Sequence, residues 1–346
     1  RRGGKPVPKS ALVAACDRIR HRGPDDDGYL VDGDFGFGMR RLSIIDVEGG
    51  HQPILSPDKR HAIVFNGEIF NHPELRRELE GGYDFQTDHS DTETILAAWL
   101  RWGDDAWPRL EGMYAVAIWD KLDKRLTLAR DPIGIKPLFV TEQHRGLAFS
   151  SEINGLRALP DHEFQVGPEG VDDFFCFGHT LPPRTIFKQV RPLEPGNLLH
   201  IGAKGGPEIR RFWKPRIAVR TGVSEKEWVE ETRSRLLDTV NKHMLSDVPV
   251  GAFLSGGVDS SGIAAAMART SSAPFKAFTV GFPGSPRDET AAAARIARYL
   301  GVEHVVLPMK PQTAADVLPA VQAAFDEPTA ATSAVPLWYL SRTAAE

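Results

Sequence analysis

Apolar and polar positions follow two different rhythms along this chain. In the first part, short apolar runs of strand character recur at 35–39, 62–65, 114–119, 126–129 and 146–149, and helical periodicity interrupts them at 9–20, 73–79 and 92–101. That mixture predicts an α+β domain. From 202 to 223 the chain turns polar and glycine-rich, which places an interdomain linker at 214–223, between a first domain at 1–213 and a second at 224–346. Past the linker, helix and strand alternate. Ser224 and Glu227 form a capping-box pair for a helix running to Lys242. Then come an apolar strand at 248–254, a small-residue helix at about 260–269, a strand at 275–282, a helix at 288–300 closed by Gly301, and a strand at 302–307. Such repetition predicts an α/β, doubly wound parallel sheet covered on both faces, with ligand beyond the carboxyl ends of its strands.

Composition narrows the function. A length of 346 residues suits two domains, and 41% apolar with 25% charged residues is ordinary for a globular protein with large cores. The net charge of −4 and the lack of a long Lys/Arg cluster argue against nucleic acid or a membrane surface as partner and favour small-molecule chemistry. No apolar run reaches the length of a membrane span, and the start lacks the apolar core of a secretory signal, so the cytoplasm is the expected location. Cys16 and Cys176 are too far apart in sequence to suggest a disulfide framework or a metal site, and both read as buried thiols. The chain starts with Arg and has no Met before Met39, which reads as a fragment.

Ser255-Gly256-Gly257-Val258-Asp259-Ser260-Ser261 stands at one of the expected strand ends. Two glycines let the backbone turn its N–H groups toward an anion, the serines add hydroxyl donors, and a helix starting near Asp259 offers its positive end. No lysine follows the glycines, which separates the loop from the Walker A pattern. Such a cradle suits chemistry at an α-phosphate with pyrophosphate leaving. The plain alternative is an ordinary glycine turn between strand and helix. The motif resembles the loop of the N-type ATP pyrophosphatases, which activate a carboxylate or carbonyl as an adenylate for attack by a nitrogen nucleophile.

Six polar islands lie in the first part: Arg20 to Asp25, Arg40 to Asp46, Phe65 to Ile69, His89 to Glu93, Ala129 to Pro137 and Phe149 to Ile153. In this order they resemble the class II glutamine amidotransferase domain. With the loop at 255 the whole resembles the glutamine-hydrolysing asparagine synthetase family, over nearly the entire chain. The resemblance implies a four-layer αββα N-terminal-nucleophile hydrolase sandwich followed by a partial ATP pyrophosphatase domain. It implies glutamine held by Arg41, Leu42, Ser43, Ile44, Ile45, Asn66, Gly67, Glu68 and Asp91, with Asn66 and Gly67 as oxyanion-hole donors. It implies ATP or pyrophosphate held by Leu254, Ser255, Gly256, Gly257, Asp259, Ser260, Ser261 and Val280, with Mg²⁺ reached by Asp259 through pyrophosphate.

Each residue type also has a plain reading. Arg41 suits a solvated surface, Ser90 or Asp91 suits a helix cap, and Asn66-Gly67 between apolar runs suits a hairpin turn. Leu254 and Val280 suit strand core. Arg130 and Lys136 read as structural support on a Pro- and Gly-rich loop, and His21 and Arg22 read as a cationic helix end with no chemistry. Asp288 and Glu289 read as helix caps, and Asp326 and Glu327 as an exposed acidic turn, with a place near the acceptor as the alternative.

The family uses a cysteine at the mature N-terminus whose α-amine serves as base, and the residues from Arg1 onward match the region just downstream of that segment. Both ends therefore read as cut, and the polypeptide as written is expected not to hydrolyse glutamine. Cys16, inside an apolar helix, does not suit the role. The implied reaction is ATP-driven adenylation of aspartate and amidation by ammonia that reaches the adenylate through an internal passage, giving asparagine, glutamate, AMP and pyrophosphate. The resemblance also admits a homodimer. Rival readings are a related amidotransferase acting on another carboxylate (a peptide, a sugar acid or a secondary metabolite), closure of a β-lactam without glutamine, and a non-catalytic glutamine- or ATP-binding regulator.

Overall fold

A computed structural model of the chain describes residues 6–143, 146–160, 162–202, 206–271, 273–309 and 311–345, without the side chains of 311–314. The head of the expected first domain (1–5) and part of the polar stretch before the linker (203–205) lie outside the described residues. The chain divides into two compact units, 1–216 with 326–328, and 217–325 with 329–346.

The first unit contains α1 (Lys9–Arg18), β1 (Asp26–Asp32), β2 (Phe35–Arg41), β3 (Ile54–Leu55), β4 (His61–Ile69), α2 (His72–Leu79), α3 (Asp91–Trp102), β5 (Gly112–Asp120) and β6 (Arg125–Arg130). It continues with β7 (Phe139–Gln143), β8 (Gly146–Ser150), α4 (Ile153–Arg157), α5 (Pro168–Phe177), β9 (Val190–Pro192), β10 (Asn197–Ile201) and β11 (Glu208–Arg211). Six strands form an antiparallel sheet in the order β11-β10-β6-β5-β4-β3, while β1-β2 and β8-β7-β9 form two smaller ones.

Alternation along β4 and β5 sends the two sides of the large sheet to two cores. Ile63, Phe65, Val116 and Ile118 pack on Leu75 of α2 and on Ile95 and Leu96 of α3. Ala62, Val64, Ala115 and Ala117 pack on Phe37 of β2 and Val140 of β7. Outside the smaller sheets, α1 lies on β2 and α4 on β8. The layers therefore run helix, sheet, sheet, helix. Residues 91–98 of α3 are all buried, as expected of a helix enclosed by its neighbours. Its buried Glu93 is satisfied by the N–H groups of Gln86 and Thr87 at 2.9 and 2.7 Å and by the Thr87 hydroxyl at 2.6 Å.

The second unit contains α6 (Glu225–His243), β12 (Ala252–Phe253), α7 (Val258–Thr270), β13 (Lys276–Gly281), α8 (Thr290–Leu300), β14 (Glu303–Pro308), α9 (Pro311–Ala323) and α10 (Ala334–Ala345). Its three strands are parallel, in the order β12-β13-β14, joined by α7 and α8. The capping box at Ser224 forms in full, with the Glu227 N–H donating to Ser224 Oγ at 3.3 Å and the Ser224 N–H donating to Glu227 Oε2 at 2.8 Å. Gly301 closes α8 in the left-handed conformation, φ +70°. The strand expected at 248–254 is a correction. The strand is confined to 252–253, with one further bond from the Leu254 N–H to β13, because Pro249 has no N–H to give a ladder and Ser246 ties Val248 into a turn.

One carboxylate organises the loop between β6 and β7. Asp131 is fully buried. It accepts the N–H groups of Ile133, Gly134, Ile135 and Lys136 at 3.0, 2.5, 3.0 and 3.0 Å, and that of Tyr114 in β5 at 3.2 Å. Gly134 takes φ +76°, and a Cβ there would meet the Pro195 ring at 2.7 Å, so the wrap requires glycine. Asp131→Ala strands these donors in a buried site, and urea denaturation should show a loss of about 3 kcal/mol, with faster amide exchange at 133–136. A change within about 0.5 kcal/mol would show that the carboxylate does not organise the loop.

Candidate functional site

A cavity of about 810 Å³ lies inside the first unit. All residues of β2 and β8 border it, with Ala11, Leu12 and Cys16 of α1 on one side and Val64, Phe65, Ala115 and Ala117 on the other. Strands β2 and β8 are each at the edge of a small sheet. The cavity is thus a slot bordered by the edge strands of the two small sheets.

At one end of this slot the structure gathers Arg41, Leu42, Ile44, Ile45, Asn66, Gly67, Glu68 and Asp91. Ser43 is not among the lining residues; its N–H is held by Asp25 Oδ2 at 2.9 Å. Arg41 is buried rather than a solvated surface residue. Nη2 donates to the carbonyls of Ile45 and Asp46 at 2.8 and 2.7 Å, and Nη1 to that of Val47 at 3.2 Å. The guanidinium therefore shapes the 45–47 loop as well as presenting positive charge, and among the described residues Nε and one Nη1 hydrogen have no acceptor.

Asn66 and Gly67 are not a turn. They lie within β4, opposite Ala115 and Tyr114 of β5, a long-range pairing that local dipeptide statistics do not see. Gly67 has φ +154°, and a Cβ there would come 2.0 Å from the Met113 carbonyl oxygen, so no other residue fits. Asn66 Nδ2 points to Ser151 Oγ at 3.5 Å. Asp91 opens α3, and neither it nor Ser90 caps the helix by its side chain. Asp91 Oδ2 instead accepts the Ile69 N–H at 3.2 Å. Burial, aided by the charge of Glu68, pushes the Asp91 carboxyl up to about 7, against backbone N–H bonds and Arg41, which act to lower it.

His21, Arg22, Lys136 and Ser151 line the same cavity. His21 and Arg22 do stand at a cationic helix end, the short turn Arg20–Arg22, and the cavity lining adds a position to that reading and to the support reading of Lys136 without assigning either a step. Burial holds the Lys136 amine below the usual lysine range, with Glu68 opposing and Arg22 reinforcing. Arg130 does serve as support, donating to the carbonyls of Gly134, Lys136 and Leu193 at 2.9, 2.9 and 2.6 Å. The signal for Lys136 in the sequence is a lysine just past a Pro- and Gly-containing turn anchored by aspartate.

The second unit carries the loop after β12. Leu254 is buried, and its N–H donates to Phe278 of β13 at 2.8 Å; Val280, on β13, is half-buried. Gly257 stands at the N-cap position of α7 without a side-chain cap. Ser255 Oγ lies 2.8 Å from Ser260 Oγ and accepts the Gly257 N–H at 3.1 Å, while Ser261 Oγ donates to the Gly257 carbonyl at 2.6 Å. Asp259 is exposed in the first turn. Glu289 is not a side-chain cap of α8; its Oε2 accepts the Gly256 N–H at 3.4 Å. Asp288 does hold the helix start, accepting from Thr290 N and Oγ1 at 3.1 and 2.6 Å. Among the described residues no three His, Cys, Asp or Glu side chains converge on a metal position. Mg²⁺, which keeps waters and takes ligands from phosphates, needs no such cage, and Asp259 and Glu289 are carboxylates suited to it.

Both cysteines are free. Cys16 is buried in the cavity wall and its thiol is pushed up to about 11 by burial. Cys176 is exposed, contrary to the buried reading, with Phe175 and Phe177 also outside. Among the described residues no helix is long and apolar enough to cross a membrane.

Residues 3–213 match the glutamine amidotransferase domain family and residues 231–346 the asparagine synthase family. Asparagine synthetase [glutamine-hydrolyzing] 1 of Bacillus subtilis is 41% identical over 94% of this chain and 51% of its own length, so the chain spans about half of that relative. A Methanocaldococcus jannaschii relative named for the same activity is 31% identical over 99% of this chain and 70% of its own length. Among solved structures, a glutamine phosphoribosylpyrophosphate amidotransferase from B. subtilis superposes with a TM-score of 0.45 at 19% identity, covering 88% of this chain and 64% of that one.

At neutral pH maleimide should label Cys176 and leave Cys16 untouched in the folded protein, as read by peptide mass spectrometry. Labelling of Cys16 at the rate of Cys176 would contradict its assignment as an inert wall residue.

Proposed function

Because the chain belongs to the glutamine-hydrolysing asparagine synthetase family, with its amidotransferase part at 3–213 and its synthase part at 231–346, we propose that it makes asparagine from aspartate, ATP and glutamine. The observation that carries this reading is the pairing of opposite charges in one cavity. Asp91 and Glu68 line it together with the Arg41 guanidinium, an arrangement suited to the ammonium and carboxylate of an amino acid.

In this reading glutamine lies with its α-ammonium toward Asp91 and Glu68 and its α-carboxylate toward Arg41. Its side-chain amide faces Asn66 and Gly67, whose N–H groups support the oxyanion that forms as a thiol attacks the amide carbon. The attacking thiol, with its own α-amine as base, would enter at the cavity bordered by β2 and β8; Cys16, buried in the wall with its raised pKa, does not suit the step. Ammonia leaves, and water releases glutamate from the thioester.

In the second unit Ser255, Gly256, Gly257, Asp259, Ser260 and Ser261 cradle pyrophosphate, with Leu254 and Val280 beside the nucleotide. Asp259 and Glu289 are the carboxylates that would hold Mg²⁺, which would supply charge neutralisation for the phosphates. The loop fixes the α-phosphate for attack by the aspartate side-chain carboxylate, and ammonia then displaces AMP to give asparagine.

Asp91 gives the reading a pH signature. Only the ionised carboxylate attracts an ammonium, and the group titrates at about 7 in the free protein. Glutamine affinity measured by calorimetry should therefore fall toward tenfold per pH unit below about 7 and level off above it. Folding responds with the opposite sign. A carboxyl whose folded pKa is raised contributes most to stability below its unfolded value, and that contribution is lost as pH rises toward 7. Asp91→Asn should weaken binding at least about tenfold and flatten the profile. An unchanged profile in the variant would remove Asp91 from the site.

A further inference from the structure

Helix α4 starts without a cap of its own. Glu152 occupies its N-cap position in an extended conformation, yet makes no side-chain capping bond. Its carboxylate turns instead to His21 Nε2 and Arg22 Nη1, both at 3.0 Å, and those two side chains line the cavity. The first-turn N–H groups that a cap would satisfy go to a residue far away in sequence. Asp326 Oδ1 accepts the Asn154 N–H at 2.8 Å and Oδ2 accepts that of Ile153. Glu327 behaves alike, accepting the Thr180 hydroxyl at 3.0 Å and the Ile186 N–H through Oε1. Both carboxyls are half-buried, and burial pushes both above the ordinary carboxylate range. The exposed acidic turn expected here is thus a correction. Residues 326–328 belong to the first unit, although the stretches on either side of them in the chain belong to the second.

We propose that Asp326 is a positioning residue of the amino-acid site: by capping α4 from outside the helix, it leaves Glu152 free to hold Arg22 and His21 against the cavity. The physical basis is competition. Unsatisfied N–H groups at a helix start attract the nearest carboxylate, and without Asp326 that carboxylate is Glu152. It is buried, and its Oε2 already lacks a partner among the described residues, so it gains by turning to the helix. Arg22 would then lose its anchor beside Lys136 and Glu68. The adjoining Ser151, whose hydroxyl meets Asn66, sits on the same segment and would shift with it.

This inference rests on the glutamine reading only for its functional consequence, so the test has two arms. In the first, hydrogen exchange of the full-length protein is compared for the parent and Asp326→Ala. The peptides covering 150–157 and 18–24 should both exchange about tenfold faster in the variant, the second because Arg22 has lost Glu152. Faster exchange at 150–157 alone would make Asp326 a local cap and overturn the proposal, whether or not glutamine binds. In the second arm, glutamine affinity should drop about tenfold in Asp326→Ala and in Glu152→Ala, with no further drop in the double variant. Additive losses, or unchanged affinity in Asp326→Ala, would overturn it as well. A parent that does not bind glutamine refutes the glutamine reading instead, and the exchange arm still decides the positioning role.

Discussion

A carboxylate taken out of water must have donors around it, and in this protein the donors are mostly backbone N–H groups. Asp131 gathers four successive N–H groups of its own loop and one from β5. Glu93 fixes the turn at 86–87 before α3, and Asp326 fixes the start of α4. Each segment held in this way borders the cavity or leads into it. The six-stranded sheet supplies a rigid floor, but the buried acids decide where the irregular segments on top of it run.

Asp91 is the exception that marks the site. It has a backbone donor from Ile69, yet burial and the neighbouring Glu68 leave its charge under-compensated, so its carboxyl sits at about 7. A group in that condition is completed by a cation, and an amino-acid ammonium is one. The loop after β12 has the converse arrangement. Among the described residues the N–H groups of Ser255, Gly256 and Gly257 are met by serine hydroxyls and by a long contact from Glu289, partners that an anion could outcompete. In the proposed function, the two units would use the same backbone chemistry for guests of opposite sign.

Legibility in the sequence tracks the range of the interactions. Helix α3 and strands β4 to β6 are legible because periodicity is local, and the Ser224 capping box forms as expected because its partners lie three residues apart. Asn66-Gly67 misleads because pairing with β5 overrides the turn preference of the dipeptide. Asp326 and Glu327 mislead for the same reason, since their partners lie well over a hundred residues away. Lys136 and Arg22 are visible as charges, but only the fold shows that they share a cavity with Asp91. Cys176 misleads because its helix is apolar, yet the aromatic neighbours Phe175 and Phe177 are exposed with it.

The central claim is that the loop at 255 activates aspartate for amidation. The most direct test is exchange of labelled pyrophosphate into ATP by the full-length protein with Mg²⁺ present. The account predicts exchange that requires aspartate and disappears in Ser255→Ala combined with Asp259→Asn. Exchange driven by a different carboxylate but not by aspartate would contradict it.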